Sequence, residues 1–257
     1  TLPGGLQGAR SNTAMPTALG AASAFRPATL FGNNFYTDII GVTNIYTLSR
    51  DPVPYGAPTP IDVRVNNVSA APVSFDETIT VKDATNTITR YTSTQTVTAL
   101  AAGSASILNF TGWNPTIQEE VNISATTSAI AGENWITNNM LTIPCSVNSN
   151  FYSYNYTTTG AGGFGYTYPG TGIFASKFTM NGQGKVTGAN LVIGNSATNT
   201  GNSIYAVVIN SAGAIVAQSA AYTITAGDLG VNTNFTFPTP PVFNTEIFYI
   251  GLALVAG

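Results

Sequence analysis

The chain has no histidine, which removes the side chain that most often acts as a general base or as a zinc ligand. The Ser-His-Asp triad is therefore excluded, and a cysteine nucleophile would lack its usual partner. No residue pattern supplies a substitute, so the sequence predicts a protein that is not an enzyme. It predicts no catalytic residue, no cofactor and no metal ligand.

Charged residues are also scarce. They make up 7% of the 257 residues, against about 25% in a typical soluble domain. Hydrophobic residues reach 44%, which excludes a highly charged disordered chain. The eight Lys and Arg residues are scattered and the net charge is -3. This pattern argues against nucleic acid as a partner and against a polybasic membrane-surface site.

Cysteine and long apolar runs are nearly absent as well. Cys145 is the only cysteine, so no intramolecular disulfide can form. Because no basic residue lies near it in the sequence, it is predicted to be a small buried hydrophobe rather than a reactive thiol. No run of 18 apolar residues occurs, so no transmembrane helix is predicted. The chain begins with Thr1 rather than Met, which favours an exported, processed chain or a piece of a longer one.

The residues that are abundant favour β-strands. In residues 61–68, Ile61, Val63 and Val65 alternate with polar residues, and residues 75–83 repeat the pattern. Turn segments follow at about the 8–12-residue spacing of β-sandwiches, and no helical period is evident. Residues 203–210 and 246–255 are apolar at successive positions, which predicts central strands. The predicted fold class is all-β.

A change of composition predicts two tandem sandwiches. Residues 144–150 (PCSVNSN) resemble a linker, and only four charged residues follow them. The predicted organisation is an extended N-terminal arm at residues 1–34, an immunoglobulin-like sandwich at 35–146 and a jelly-roll-like sandwich at 147–257.

The arm has two interpretations. It is either a loosely ordered leader packed on its neighbours, or a segment that adds a strand to an open sheet edge of the next subunit. The apolar residues predicted to make these contacts are Leu2, Leu6, Leu19, Phe25, Leu30 and Phe31.

An aromatic run at residues 151–170 surrounds a glycine-rich loop. Its residues are predicted to serve as cross-strand packing, as a subunit interface or as a platform for sugar rings. They are Tyr152, Tyr154, Tyr156, Phe164, Tyr166 and Tyr168, the first three being placed on one strand face.

Three motifs bear on chemistry, and their sequence context argues against each. GAGGFG at residues 160–165 matches the dinucleotide fingerprint, but no apolar strand precedes it and no helix pattern follows it. The pairs Asp76–Glu77 and Glu119–Glu120 point to opposite strand faces, so neither pair converges locally. No D-x-D-x-D spacing exists for calcium, and a lone ion at Asp38 or Asp51 stays an open alternative.

Residues 45–139 resemble a known family. IYTL at 45–48, the Pro-Gly segment at 54–58, VNN at 65–67, LAAGSAS at 100–106 and the pair Asn138–Asn139 resemble CARDB-type immunoglobulin-like domains of secreted Bacteroidetes proteins. VINSAGAIVAQSAAYTI and FYIGLALVAG are similar to the jelly-roll-like modules that follow such domains. The resemblance implies export by type IX secretion and a role in adhesion or surface layers, with no catalytic residues. The sorting domain and the Asp-Ser/Thr O-glycosylation motif of that phylum are not evident.

The predicted function is therefore a non-enzymatic, extracellular structural protein, namely a cell-surface adhesin or a filament or surface-layer subunit. Its predicted partners are further copies of itself or other cell-surface proteins, with glycans as another ligand class. One alternative is a carbohydrate-binding module of a secreted protein. Another is a viral capsid jelly roll, although its usual basic arm is missing because residues 1–34 contain only Arg10 and Arg26.

Overall fold

The computed structural model describes residues 37–156 and 172–254. The chain divides into two compact units, Thr1–Thr37 and Asp38–Gly257, and all described residues but Thr37 belong to the second. Within the described residues, strands predominate and the helices are three single 3-10 turns, so the predicted all-β fold is confirmed. The strands are β1 (Ile40–Tyr46), β2 (Arg50–Pro52), β3 (Thr59–Asn67), β4 (Val73–Asp83), β5 (Thr89–Leu100), β6 (Ala105–Trp113), β7 (Glu119–Thr127), β8 (Met140–Asn148), β9 (Ile173–Lys185), β10 (Gly188–Val192), β11 (Ser203–Asn210), β12 (Ile215–Gln218), β13 (Tyr222–Thr223), β14 (Asn232–Thr236) and β15 (Val242–Leu254).

The N-terminal sheet pair consists of a three-stranded sheet, in the order β1-β3-β6, and a five-stranded sheet, in the order β2-β8-β7-β4-β5. All neighbours are antiparallel except β2 and β8, which run parallel. The alternation in β3 places Ile61, Val63 and Val65 at complete burial between the sheets. Burying one such side chain contributes about 1.5–3 kcal/mol, which fixes the register, because a shift by one residue would expose all three.

The C-terminal sheet pair has a five-stranded sheet in the order β12-β11-β15-β9, with β13 also on β11, and a two-stranded sheet of β10 and β14. β11 and β15 are its inner strands, as their continuous apolar sequence predicts. Ile204, Ala206 and Phe248 from this sheet pack in one hydrophobic cluster with Phe235 of β14. A separate cluster fills the N-terminal sheet pair.

Residues 144–148 are a strand rather than a linker. β8 continues to Asn148, and Cys145 and Val147 point into the N-terminal core. The linker prediction was wrong because Pro, Ser and Asn, which are common in linkers, occupy the outward positions of this strand. They make the alternation of buried and exposed residues hard to recognise in the sequence. Cys145 is a free, fully buried thiol, as predicted, and burial raises its pKa to about 12.

Candidate functional site

The chain folds back on itself directly after β8. The Asn148 side-chain carbonyl accepts the backbone N–H groups of Asn150 (2.8 Å) and Phe151 (2.6 Å), which forms a tight turn. Ser153 then bridges to β2: its carbonyl accepts the Ser49 N–H at 2.8 Å and its N–H donates to the Arg50 carbonyl at 3.1 Å. This segment therefore carries the aromatic side chains of residues 152–156 alongside the N-terminal sheet pair.

Tyr152 packs into the core of the C-terminal sheet pair. Its ring meets those of Phe178 and Phe248 edge to face, with centroids 5.8 Å and 5.9 Å away, and such pairs contribute about 0.5–1.5 kcal/mol beyond burial. Its hydroxyl lies 3.3 Å from the Met180 sulfur. Burial, and then the charge of Asp51, raises the pKa of Tyr152.

Tyr154 and Tyr156 contact different strands. The Tyr154 ring stacks on Phe178 at 5.3 Å and its hydroxyl donates to the Lys177 carbonyl at 2.6 Å. The Tyr156 hydroxyl instead donates to Glu120 of β7 at 2.9 Å. The three tyrosines do not share a strand face, because residues 151–156 form a single bridge at Ser153 rather than a strand. All three hydroxyls have partners within the chain.

The remaining predicted site residues lie outside the described residues. This applies to the GAGGFG motif, to Phe164, Tyr166 and Tyr168, and to all the arm residues, which are Leu2, Leu6, Leu19, Phe25, Leu30 and Phe31.

Tyr55 forms a second contact between the two sheet pairs. It lies in the loop between β2 and β3, and its carbonyl accepts the Asn181 N–H of β9 at 2.6 Å. Its ring lies over two glycines of β9: a Cβ on Gly182 would lie 3.1 Å from the Tyr55 ring, and one on Gly184 would lie 3.8 Å from it. Sequence reasoning missed this contact. The available signal was the glycine spacing inside a strand, which often marks a close approach by another segment.

We call the set Tyr55, Tyr152, Tyr154 and residues 177–184 of β9 the joint. It joins a loop and a return segment of the N-terminal sheet pair to one strand of the C-terminal pair. Because the joint combines ring stacking with backbone hydrogen bonds, it resists both sliding and separation of these segments.

Asp51 lies buried behind the joint. Its side chain is fully buried and Oδ2 contacts the Thr59 hydroxyl, while Oδ1 has no hydrogen-bond partner among the described residues. Thr59 Oγ1 is also 2.7 Å from the Gly56 carbonyl oxygen. Burial raises the pKa of Asp51 to about 6, and the hydrogen bond from Thr59 opposes this effect.

Glu77 is a second fully buried carboxyl group, in the middle of β4. Its Oε2 accepts a hydrogen bond from the Thr127 hydroxyl at 2.7 Å, while Oε1 has no hydrogen-bond partner in the part of the chain that the structure describes. Burial raises its pKa to about 7, against the opposing hydrogen bond from Thr127. Asp76, next to it, is exposed, so this pair points to opposite faces as predicted.

Two further carboxylates are held by nearby side chains. Arg90 contacts Glu119 through two nitrogens, each at 2.8 Å from an oxygen. Both side chains line a small surface pocket together with Trp113. Asp38 accepts the Asn138 amide at 3.0 Å. In residues 37–156 and 172–254, no three His, Cys, Asp or Glu side chains are grouped as a metal site requires.

Side chains cap the carbonyl groups of one sheet edge. β6 ends its sheet, and two of its carbonyls accept hydrogen bonds from side chains of β5: Thr111 from the Tyr91 hydroxyl (2.7 Å) and Asn109 from the Gln95 amide (2.5 Å). These contacts tie the two N-terminal sheets together and occupy acceptors that an incoming strand would need.

Comparison with protein-family models and with curated proteins finds no match to this chain. Among the described residues, no helix has the length and apolar character needed to cross a membrane.

Proposed function

We propose that the chain is a non-enzymatic, extracellular structural subunit that assembles with further copies through a sheet edge and its N-terminal arm. The edge of β5 carries this proposal. β5 is 12 residues long and pairs with β4 alone among the described strands. Its only charged residue is Arg90. Natural proteins usually protect such an edge with lysines, prolines or bulges, because an open edge pairs with other chains.

The other edges are shorter, interrupted or occupied. β1 has a bulge between Val42 and Asn44, β6 is capped by side chains, and β2 has three residues. β9 is longer, but two of its backbone groups are already bonded in the joint. The Lys177 carbonyl accepts the Tyr154 hydroxyl, and the Asn181 N–H donates to the Tyr55 carbonyl. The pairing of β5 with β4 is irregular near both ends of β5, but it is regular from Tyr91 to Val97. This middle part therefore offers a template for one more strand.

The surface next to this edge is neutral and hydroxyl-rich. Hydroxyl groups pair across the outward face of the N-terminal five-stranded sheet. The hydroxyl oxygens of Thr78 and Thr94 are 2.9 Å apart, and those of Ser124 and Thr142 are 2.8 Å apart. Thr and Ser pairs stabilise a sheet without placing charge on it. Low surface charge fits a protein whose faces are covered by neighbours, because charged residues are depleted from interface cores.

The proposal also includes the predicted organisation and origin. An immunoglobulin-like sandwich followed by a jelly-roll-like one is supported by the two separate hydrophobic clusters. The division then falls after β8 rather than at the predicted residue 146, because Val147 belongs to the N-terminal cluster. Membership of the secreted Bacteroidetes proteins rests on the sequence resemblance alone. In this proposal, residues 1–34 of one copy pair with β5 of the next.

A deletion of residues 1–34 tests the arm. The shortened chain should fold, because its N-terminal sheet pair begins at β1, and should stay monomeric while the complete chain forms oligomers. Sedimentation velocity over a range of concentrations measures both. Oligomers of unchanged size after the deletion would refute the role of the arm.

Two lysine substitutions test the edge. Thr92→Lys and Thr98→Lys add charge at exposed positions of β5, and Thr126→Lys adds it at an exposed position of the inner strand β7. The β5 variants should weaken assembly at least about tenfold, since a desolvated charge costs more than about 1.4 kcal/mol, whereas the β7 variant should assemble normally. Equal weakening by all three would argue for face-to-face association instead. Glycan binding by a monomeric native chain would favour a carbohydrate-binding module.

A further inference from the structure

The contacts of Thr59 link its single hydroxyl hydrogen to the protonation state of Asp51. Its hydroxyl has one hydrogen, but two acceptors are within reach: Asp51 Oδ2 and the Gly56 carbonyl oxygen. If Thr59 donates to Gly56, the contact with Asp51 is a hydrogen bond only when Asp51 carries a proton and donates it. A protonated Asp51 thus completes a series of hydrogen bonds in which Asp51 donates to Thr59 and Thr59 donates to Gly56. An ionised Asp51 interrupts this series.

The surroundings of Asp51 offer no compensation for a negative charge. Its Oδ1 has no partner within residues 37–156 and 172–254. It lies so close to Gly56 that a Cβ there would be 2.1 Å away, which leaves no space for a counter-ion on that side. Arg50, the neighbouring residue, donates to the Tyr156 carbonyl at 3.1 Å instead. An ionised Asp51 would therefore be buried with one hydrogen bond at most, which is costly.

The loop that this chain of hydrogen bonds closes is the one that carries Tyr55. The Gly56 N–H donates to the Pro52 carbonyl at 2.6 Å, and Tyr55, one residue earlier, binds Asn181 of β9. The contacts among Asp51, Thr59 and Gly56 therefore hold both ends of the loop between β2 and β3. The middle of this loop supplies Tyr55 to the joint.

We propose that Asp51 is a proton-operated lock on the joint, in which loss of its proton loosens the loop between β2 and β3 and releases Tyr55 from β9. The proposal holds whether or not the chain assembles with further copies.

Two ionisable groups that interact electrostatically with Asp51 stay neutral between pH 5 and pH 8. They are the Cys145 thiol on β8, whose pKa burial raises to about 12, and the Tyr152 hydroxyl, whose pKa burial also raises. A change in the joint between pH 5 and pH 8 is therefore assigned to the titration of Asp51. Its pKa lies at about 6 in the closed joint against 3.8 in water, so the joint is tightest below pH 3.8 and loosens as the pH rises through 6. If opening exposes the carboxyl group, the opening equilibrium rises about tenfold between pH 5 and pH 8.

Hydrogen exchange at single amides tests the lock. In the native chain, the protection factor of the Asn181 amide should fall about tenfold from pH 5 to pH 8. Asp51→Asn supplies an amide donor to Thr59 that cannot ionise, and should make Asn181 protection independent of pH. Glu77→Gln removes the other buried carboxyl group and should leave the Asn181 profile unchanged.

A flat profile in the native chain, or an Asp51→Asn profile as steep as the native one, would overturn the proposal. If Asp51→Asn fails to fold, the native protein still decides: the carboxyl ¹³C resonance of Asp51 should titrate near pH 6, and a midpoint near 3.8 would overturn the lock.

Discussion

Replacing Glu77 with Gln should make the protein more resistant to alkaline conditions. Glu77 is fully buried, with one hydrogen bond from Thr127 and a second oxygen that no described residue contacts through a hydrogen bond. Burial raises its pKa from 4.5 to about 7. A carboxyl group with a raised pKa in the folded state contributes its full stability below pH 4.5, and that stability is lost as the pH rises through 7.

The size of the effect follows from the pKa change. Each pKa unit corresponds to about 1.4 kcal/mol, so a rise from 4.5 to about 7 corresponds to about 3 kcal/mol. The Gln variant loses this dependence because an amide does not ionise. A fixed cost of about 1–3 kcal/mol for an amide N–H group without a partner applies at every pH. The informative quantity is therefore how the difference in unfolding free energy between Glu77→Gln and the native chain changes with pH. The difference at a single pH also contains the fixed cost.

Urea denaturation at constant ionic strength, in steps from pH 4 to pH 8, measures this quantity. The free energy of unfolding of Glu77→Gln minus that of the native chain should rise by about 3 kcal/mol over the range. Thr127→Val removes the hydrogen bond that favours the charged form, so it should make the native loss of stability steeper. Asp76→Asn, which removes the adjacent exposed carboxyl group, is the matched control and should lack the rise. A constant difference between Glu77→Gln and the native chain would refute the reasoning.

Two further predictions concern the joint and a turn. Tyr55→Ala should lower the free energy of unfolding by about 2 kcal/mol and remove the protection of the Asn181 amide from hydrogen exchange. Tyr46→Ala, which replaces an exposed tyrosine, should do neither. Unchanged exchange protection of Asn181 in Tyr55→Ala would contradict the assigned contact. Asp83 accepts hydrogen bonds from the Ile88 N–H and from the Thr85 hydroxyl, which hold its pKa below the ordinary range, so the turn loses stability only as the pH falls well below 3.8. NMR should show the Ile88 amide shift still at its neutral-pH value at pH 3.8, and a half-completed change there would contradict this.

The strands were predictable because a two-residue period is a local property of the sequence. Ile61, Val63 and Val65 alternate clearly, and all three are buried. The same period places Glu77 with Phe75, Ile79 and Val81 on the inward face, so a buried carboxyl group was implicit in the pattern. β8 was missed because the outward residues of 144–148 resemble a linker.

The joint was not predictable, because it depends on contacts between residues far apart in the chain. Nothing local to Tyr55 indicates that its ring lies on Gly182, and the aromatic run alone does not show that Tyr152 enters one core while Tyr156 turns to β7. The burial of Asp51 likewise results from how the loop between β2 and β3 closes against β8 and the segment after it.

The state of association of the complete chain tests the central proposal most directly. Sedimentation velocity, with electron microscopy of the same samples, should show concentration-dependent oligomers or filaments that disappear when residues 1–34 are deleted. A complete chain that remains monomeric at every concentration, in fields without regular assemblies, would contradict the proposed structural role.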